Sequence, residues 1–287
     1  MRGSLLACRT VPLVACLILG TAPYLMAAPL GTLVVSSDIP GTGVAVADQR
    51  VDLSGAPATV GLEPGQYELC LADGYGEVRR TAMVRPGETT RVSISWSDLS
   101  PAELHALGSA RFDRGAYEEA VPFFKVSAEA APASVAFRND LGLALHLSGR
   151  ADEARRVLEG AVRSDPGSAA AHFNLAGVLV TLGEREAALW EYNQARKFAP
   201  DDPNIRNDLA ATLLEMGWVR RAELEYAGLT RSHPQYANGW FGYAACLERS
   251  RKAARAKQAW QQFLALAGDD ADSEFVRVAK DHVAGKR

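Results

Sequence analysis

The chain has 287 residues, 48% of them apolar, with 31 basic and 34 acidic side chains and a formal charge of −3. That is enough apolar material for a buried core and length for about two domains. The near-neutral balance excludes an overall basic field for nucleic acid. Four cysteines and five histidines leave little for a disulfide framework or a metal centre.

Residues 1–28 read as an export signal. Arg2 and Arg9 make a positive start, Val11 to Met26 is almost wholly apolar, and Ala27 and Ala28 are small residues near a cleavage point. Two alternatives stay open. One is an uncleaved single anchor, although Pro12 and Pro23 interrupt a run already short for a bilayer. The other is a lipoprotein modified at Cys16, which follows Leu13-Val14-Ala15. Each version exports the rest of the chain to a periplasm or cell envelope, with membrane contact only through this segment. Cleavage leaves Cys70 and Cys246, which are expected to be two separate buried thiols.

Residues 30–97 alternate short apolar runs with turn signals. Thr32–Ser36, Val44–Val46, Ala58–Leu62, Tyr67–Leu71, Val78–Val84 and Thr89–Trp96 are separated by Pro-Gly pairs at 40–41, 64–65 and 86–87. Proline then glycine suits a type II turn, because proline presets the first φ and glycine accepts the positive second one. Val92, Ile94 and Trp96 share one face of a period-two strand. Strands at this spacing predict a small antiparallel β-sandwich.

This run resembles the PEGA domain of bacterial and archaeal surface proteins. The resemblance rests on Gly31-Thr32-Leu33-Val34-Val35-Ser36-Ser37, Pro40-Gly41, Leu62-Glu63-Pro64-Gly65-Gln66-Tyr67, Gly74-Tyr75 and Pro86-Gly87-Glu88-Thr89-Thr90. The namesake turn usually carries alanine after Pro-Gly, where this chain has Thr42. The resemblance implies an extracytoplasmic accessory module without catalytic residues.

From residue 101 the chain is periodic. Pro132, Pro166, Pro200 and Pro234 are 34 residues apart, and Gly115, Gly149, Gly183 and Gly217 keep that spacing, as do Ala120, Ala154, Ala188, Ala222 and Ala256. The period and residue types resemble the tetratricopeptide repeat, a pair of antiparallel helices per unit. Five units follow: 101–134, 135–168, 169–202, 203–236 and 237–270, with a capping helix in 271–287. Small residues at 108, 142, 176, 210 and 244 let the two helices of a unit approach, opposite Phe124, Leu158, Tyr192, Tyr226 and Trp260. The glycines end each first helix in a left-handed residue, and Ser100-Pro101-Ala102-Glu103 has the layout of a capping box. The fifth unit departs from the pattern, with Arg251 for the glycine and Gly268 for the proline. On the capping helix, Phe275, Ala279 and Val283 share one face. The architecture is therefore mixed, with separate β and α domains: the small sandwich, then an all-α superhelical solenoid. The linker 96–100 is short enough to dock the two.

No catalytic constellation emerges: there is no phosphate loop with lysine, no His-Glu-x-x-His and no paired CxxC, and no cofactor or metal is expected. The tetratricopeptide resemblance implies a concave groove lined by the first helices. Carried onto this chain it takes in His105, Ser109, Phe112, Asp113, Asn139, Leu143, His146, Leu147, Phe173, Asn174, Gly177, Val180, Asn204, Asn207, Leu214, Glu215, Asn238, Phe241, Glu248 and Arg249, with Phe173 and Phe241 read either as groove residues or as packing between neighbouring first helices. Apolar anchors with amide groups suit an extended peptide or helix, since asparagine pairs with both N–H and C=O groups. His146 reads as a groove residue with an ordinary hydrogen bond, Asn174 as a residue that holds inter-helix geometry. The subtype that clamps a C-terminal carboxylate needs lysine and arginine where His105, Ser109, Asn139 and Leu143 stand.

Arg249, Arg251, Lys252, Arg255 and Lys257 form the one basic cluster. It is either a solvated face balanced by Asp269, Asp270, Asp272 and Glu274 or a patch for an anionic partner. The expectation is a non-catalytic exported scaffold or adapter that binds a protein segment and supports assembly of an envelope complex. The alternative is a cell-surface attachment protein whose β domain binds polysaccharide, such as a cell-wall polymer, with the repeats as a spacer.

Overall fold

The computed structural model describes residues 29–38, 43–47, 49–53, 56–72, 77–268 and 273–285. The export segment with Cys16, the Pro40-Gly41 turn and Asp269, Asp270 and Asp272 lie outside the described residues. The chain divides into two compact units, Met1–Ala131 and Pro132–Arg287.

The first unit opens with two sheets. One has the order β4-β1-β7, from β1 (Gly31–Ser37), β4 (Ala58–Leu62) and β7 (Thr89–Ile94). The other has the order β3-β2-β5-β6, from β2 (Gly43–Val46), β3 (Gln49–Asp52), β5 (Gly65–Ala72) and β6 (Glu77–Val84). Alternation does the sorting: Leu33 and Val35 of β1 are buried while Thr32 and Val34 are half-buried, as a pleated strand with one core face requires. Pairing is antiparallel except between β1 and β7, which run parallel from Thr32 opposite Thr89 to Ser37 opposite Ile94. A parallel pair needs a long connection, and the rest of the β region supplies it. Strand β3 (Gln-Arg-Val-Asp) has a single apolar residue, so no apolar run announces it. The turn at Pro86-Gly87 forms with Gly87 at φ 69° and Glu88 N–H on the Arg85 carbonyl. Pro64-Gly65 makes no such turn, because Gly65 already belongs to β5 and is not left-handed.

The sandwich core does not stop at the last strand. It continues through Leu99 into α1 (Pro101–Phe112) and α2 (Tyr117–Ala130), with Leu104, Leu107 and Phe123 in the same cluster as Leu33, Val35, Leu69 and Ile94. The β region is thus docked on the first helix pair. The Ser100 hydroxyl accepts from Glu103 N–H and the Glu103 carboxylate from Ser100 N–H, closing the capping box. Arg80 donates to the same Glu103 carboxylate at 2.8 Å and holds its pKa down at about 2. The Arg111 guanidinium sits 3.8 Å over the Phe123 ring and donates to the Leu107 carbonyl. At the fourth and twenty-third positions of later repeats stand polar pairs, His172 with Glu191 (2.5 Å) and Arg206 with Glu225 (3.7 Å). In the first repeat those positions are Leu104 and Phe123, 1% and 3% exposed. That apolar exchange gives the β region a surface to bury.

The second unit is helical: α3 (Val135–Leu147), α4 (Ala151–Ser164), α5 (Ala169–Thr181), α6 (Arg185–Phe198), α7 (Pro203–Glu215), α8 (Val219–Ser232), α9 (Ala237–Arg249), α10 (Ala253–Ala267) and α11 (Glu274–Ala284). Ser134, Ser168 and Asp202 cap α3, α5 and α7 through their side chains. Gly149, Gly183 and Gly217 turn the chain at φ 77–84°, and in the fifth repeat Arg251 takes the same left-handed conformation at φ 58°. The small-residue rule holds at Gly142, where a Cβ would overlap the Leu158 side chain. On α11 the buried residues are Val276 and Ala279, and Phe275 is 61% exposed. Of the expected face Ala279 is thus buried and Phe275 is not, although its ring stands 5.2 Å from that of Phe241. Cys70 and Cys246 are separate buried thiols, and burial pushes the Cys246 pKa up to about 12.

Candidate functional site

In the second and third repeats the polar groups of the first-helix face meet one another. The Asn174 amide donates to the Asn139 carbonyl oxygen at 2.9 Å, joining α5 to α3. His146 Nε2 lies 2.8 Å from the Thr181 hydroxyl, the ordinary hydrogen bond expected of it, and burial lowers its pKa. Phe173 is half-buried with its ring 5.9 Å from Tyr192, and Leu143 is half-buried on α3. These residues largely hold one repeat to the next.

The fourth and fifth repeats differ. Between α7, α9 and α11 lies a cavity of about 600 Å³, with Asn207, Asn238, Phe241, Tyr226, Arg249 and Phe275 in its wall. Phe241 is the centre of an aromatic group, its ring 4.9 Å from Trp260, 5.3 Å from Phe263 and 5.2 Å from Phe275. The Asn207 amide donates to Asp208 at 2.9 Å, which leaves its carbonyl oxygen to accept. Burial raises the Asp208 pKa. Arg249 donates to the Leu214 carbonyl at 2.8 Å, which also accepts from Gly217 N–H at 3.0 Å. An apolar basin with a few polar groups at its rim is the usual form of a binding site.

Of the expected groove residues, Asn207, Leu214, Glu215, Asn238, Phe241 and Arg249 meet in this cavity. Asn139, Leu143, His146, Phe173 and Asn174 lie on α3 and α5. His105 and Phe112 belong to the first unit, with ring centroids 5.1 and 6.2 Å from Phe124. The basic cluster is divided. Arg249 faces the cavity, while Lys252 and Arg255 pair with Glu223 of α8 at 2.7 and 3.8 Å. Arg255 also reaches the Tyr243 hydroxyl, and Arg251 and Lys257 are exposed. Glu223 thus balances two of the five cations. Sequence reasoning placed Tyr226 among packing aromatics and Phe275 on a buried stripe; neither residue type, at its repeat position, marks a cavity wall. Among the described residues no group of three or more histidines, cysteines or acids could hold a metal ion, and no helix is long and apolar enough to cross a membrane.

The Tetratricopeptide repeat family profile matches residues 111–172 and 145–211, and the PEGA domain profile matches residues 30–97. The TPR repeat-containing thioredoxin TTL4 of Arabidopsis thaliana is 30% identical over 169 residues, 58% of this chain and 23% of that protein. The chain spans less than a quarter of the length of the curated relatives it matches. Among solved structures, pilF of Pseudomonas aeruginosa aligns with TM-score 0.55 at 20% identity, over 64% of this chain and 87% of that one. The MamA protein aligns with TM-score 0.51 at 19% identity, over 61% of this chain and 95% of that one. At these identities the likeness is one of fold, that of stacked helix pairs.

Proposed function

We propose that this chain, which carries tetratricopeptide repeats behind an N-terminal PEGA domain, is a non-catalytic adapter. It holds a segment of a protein partner along its first-helix face and supports assembly of a complex in the cell envelope. The observation that carries the reading is the cavity of about 600 Å³ between α7, α9 and α11, apolar at its base around Phe241 and edged by the Asn207 and Asn238 amides. A peptide main chain needs such a mixture, because each residue brings both a donor and an acceptor. The export part of the reading rests on the composition of residues 1–28, and the PEGA likeness agrees with that address.

Capture of partners from envelope extracts of the source cells tests the reading, with wild type compared against a Phe173→Ala, Phe241→Ala double variant. A defined protein retained by wild type and lost from the folded variant supports it. Sedimentation with purified wall polymer that survives both changes would instead make the β region the binding element and the repeats a spacer.

A further inference from the structure

Tyr226 is 3% exposed, and its hydroxyl has no hydrogen-bond partner among the described residues although it stands in the cavity wall. The ring is buried but the hydroxyl opens on the cavity, since among the described residues the one fully buried side-chain polar atom without a partner is Arg206 Nε. In the next repeat the corresponding aromatic is partnered, the Trp260 indole donating to Glu248 at 3.1 Å. The hydroxyl is therefore left over for something that enters the cavity.

Charge points the same way. Arg249 makes no ion pair among the described residues, and only one of its nitrogens is engaged, on the Leu214 carbonyl. Glu215, the acid in the same wall, is already bound to Arg185 at 3.3 Å. The cavity wall thus carries one uncompensated cation beside an aromatic base built from Phe241, Phe263 and Phe275.

We infer that the cavity is the anchor point of the bound segment. It takes one bulky apolar side chain, aromatic or leucine-like, against Phe241, with a neighbouring acidic side chain on Arg249 and a main-chain group on the Tyr226 hydroxyl. The inference rests on the groove reading above and narrows the partner to a segment with an apolar residue next to acidic ones.

Fluorescence anisotropy with the full chain tests it, using three labelled ten-residue peptides with capped ends on a Gly-Ser background. Their centres carry Phe-Asp-Asp, Phe-Asn-Asn or Ala-Asp-Asp. Phe-Asp-Asp is expected to bind about tenfold more tightly than either of the others, the scale of one lost charged or anchoring contact. Arg249→Gln erases the difference between Asp and Asn peptides while leaving that between Phe and Ala. Tyr226→Phe weakens all three by about threefold, and thermal melts confirm that both variants are folded. Equal binding of the three peptides, or binding of none, overturns the inference, as does an aspartate preference that survives Arg249→Gln. Peptides that bind but respond to Phe173→Ala alone leave the groove reading standing and move the anchor to the third repeat. If the captured envelope partner survives the groove double variant, the groove reading itself falls.

Discussion

Asn139 and Asn207 hold the same position in the second and fourth repeats, yet they end differently. Thirty-five residues on from Asn139, one past the equivalent position of the next repeat, stands Asn174, and the two amides bond. The corresponding step from Asn207 arrives at Gly242, which has no side chain to offer. Likewise His146 meets the Thr181 hydroxyl of the next repeat, whereas at the equivalent step Arg249 spends one nitrogen on the Leu214 carbonyl and keeps the rest of its guanidinium. Repeats two and three consume their polar groups in joining each other. Repeats four and five leave theirs facing a cavity. An array of similar units therefore acquires a site where neighbouring side chains fail to complete one another.

Gly242 is the point at which that contrast can be broken most severely. A Cβ there would overlap the Tyr226 ring, so Gly242→Ala should cost about 1–3 kcal/mol, measured by urea unfolding. Ala176 and Ala210 already carry that methyl elsewhere on their helices without exposure, so the penalty belongs to position 242 and not to first helices in general. A neutral outcome would show that Tyr226 can retreat and that the cavity wall is soft. The turns differ in the opposite sense. Gly149 follows α3 at φ 84°, while Arg251 follows α9 at φ 58°, a conformation that strains a side chain. Arg251→Gly should raise stability by about 1 kcal/mol, read as an increase in Tm, and the corresponding Gly149→Arg should lower it. Asn174→Ala should cost about 1 kcal/mol and loosen α3 against α5, seen as faster amide exchange there, with the α7 and α9 amides unchanged. The smallest effect is one of pH. Burial holds the folded His146 pKa below its ordinary 6.5, so the unfolded chain binds the proton more readily. The stability it contributes is present above about pH 6.5 and is lost as pH falls through the folded value. Amide exchange in α3 and α5 should accelerate on acidification relative to α7 and α9, and His146→Gln should flatten the difference.

Much of the fold was legible because it is local. A 34-residue period places glycine wherever a first helix must end left-handed, and Gly149, Gly183 and Gly217 do so. Ser100 and Glu103 announced a cap that forms with both hydrogen bonds. The parallel pairing of β1 with β7 and the short β3 were not legible. Pairing direction depends on how distant segments meet, and four mostly polar residues carry no periodicity. The docked β region did leave a trace, in Leu104 and Phe123 at positions that later repeats give to His172 with Glu191 and Arg206 with Glu225. It becomes readable only when repeats are compared position by position for polarity.

The groove reading divides along the same line. That Asn238 and Phe241 share a side follows from helical periodicity, because residues three and four apart share a face, and Asn207 joins them because it holds the repeat position of Phe241. That Asn139 and Asn174 are spent on each other, and that Glu223 absorbs Lys252 and Arg255, depends on distances between helices. Repeat register, helix ends and the small-residue seams were thus set within the chain's own local order, where steric rules act over a few residues. The cavity and its unpaired Tyr226 hydroxyl came from packing across repeats. There a missing side chain at Gly242 matters only once its neighbours in space are known.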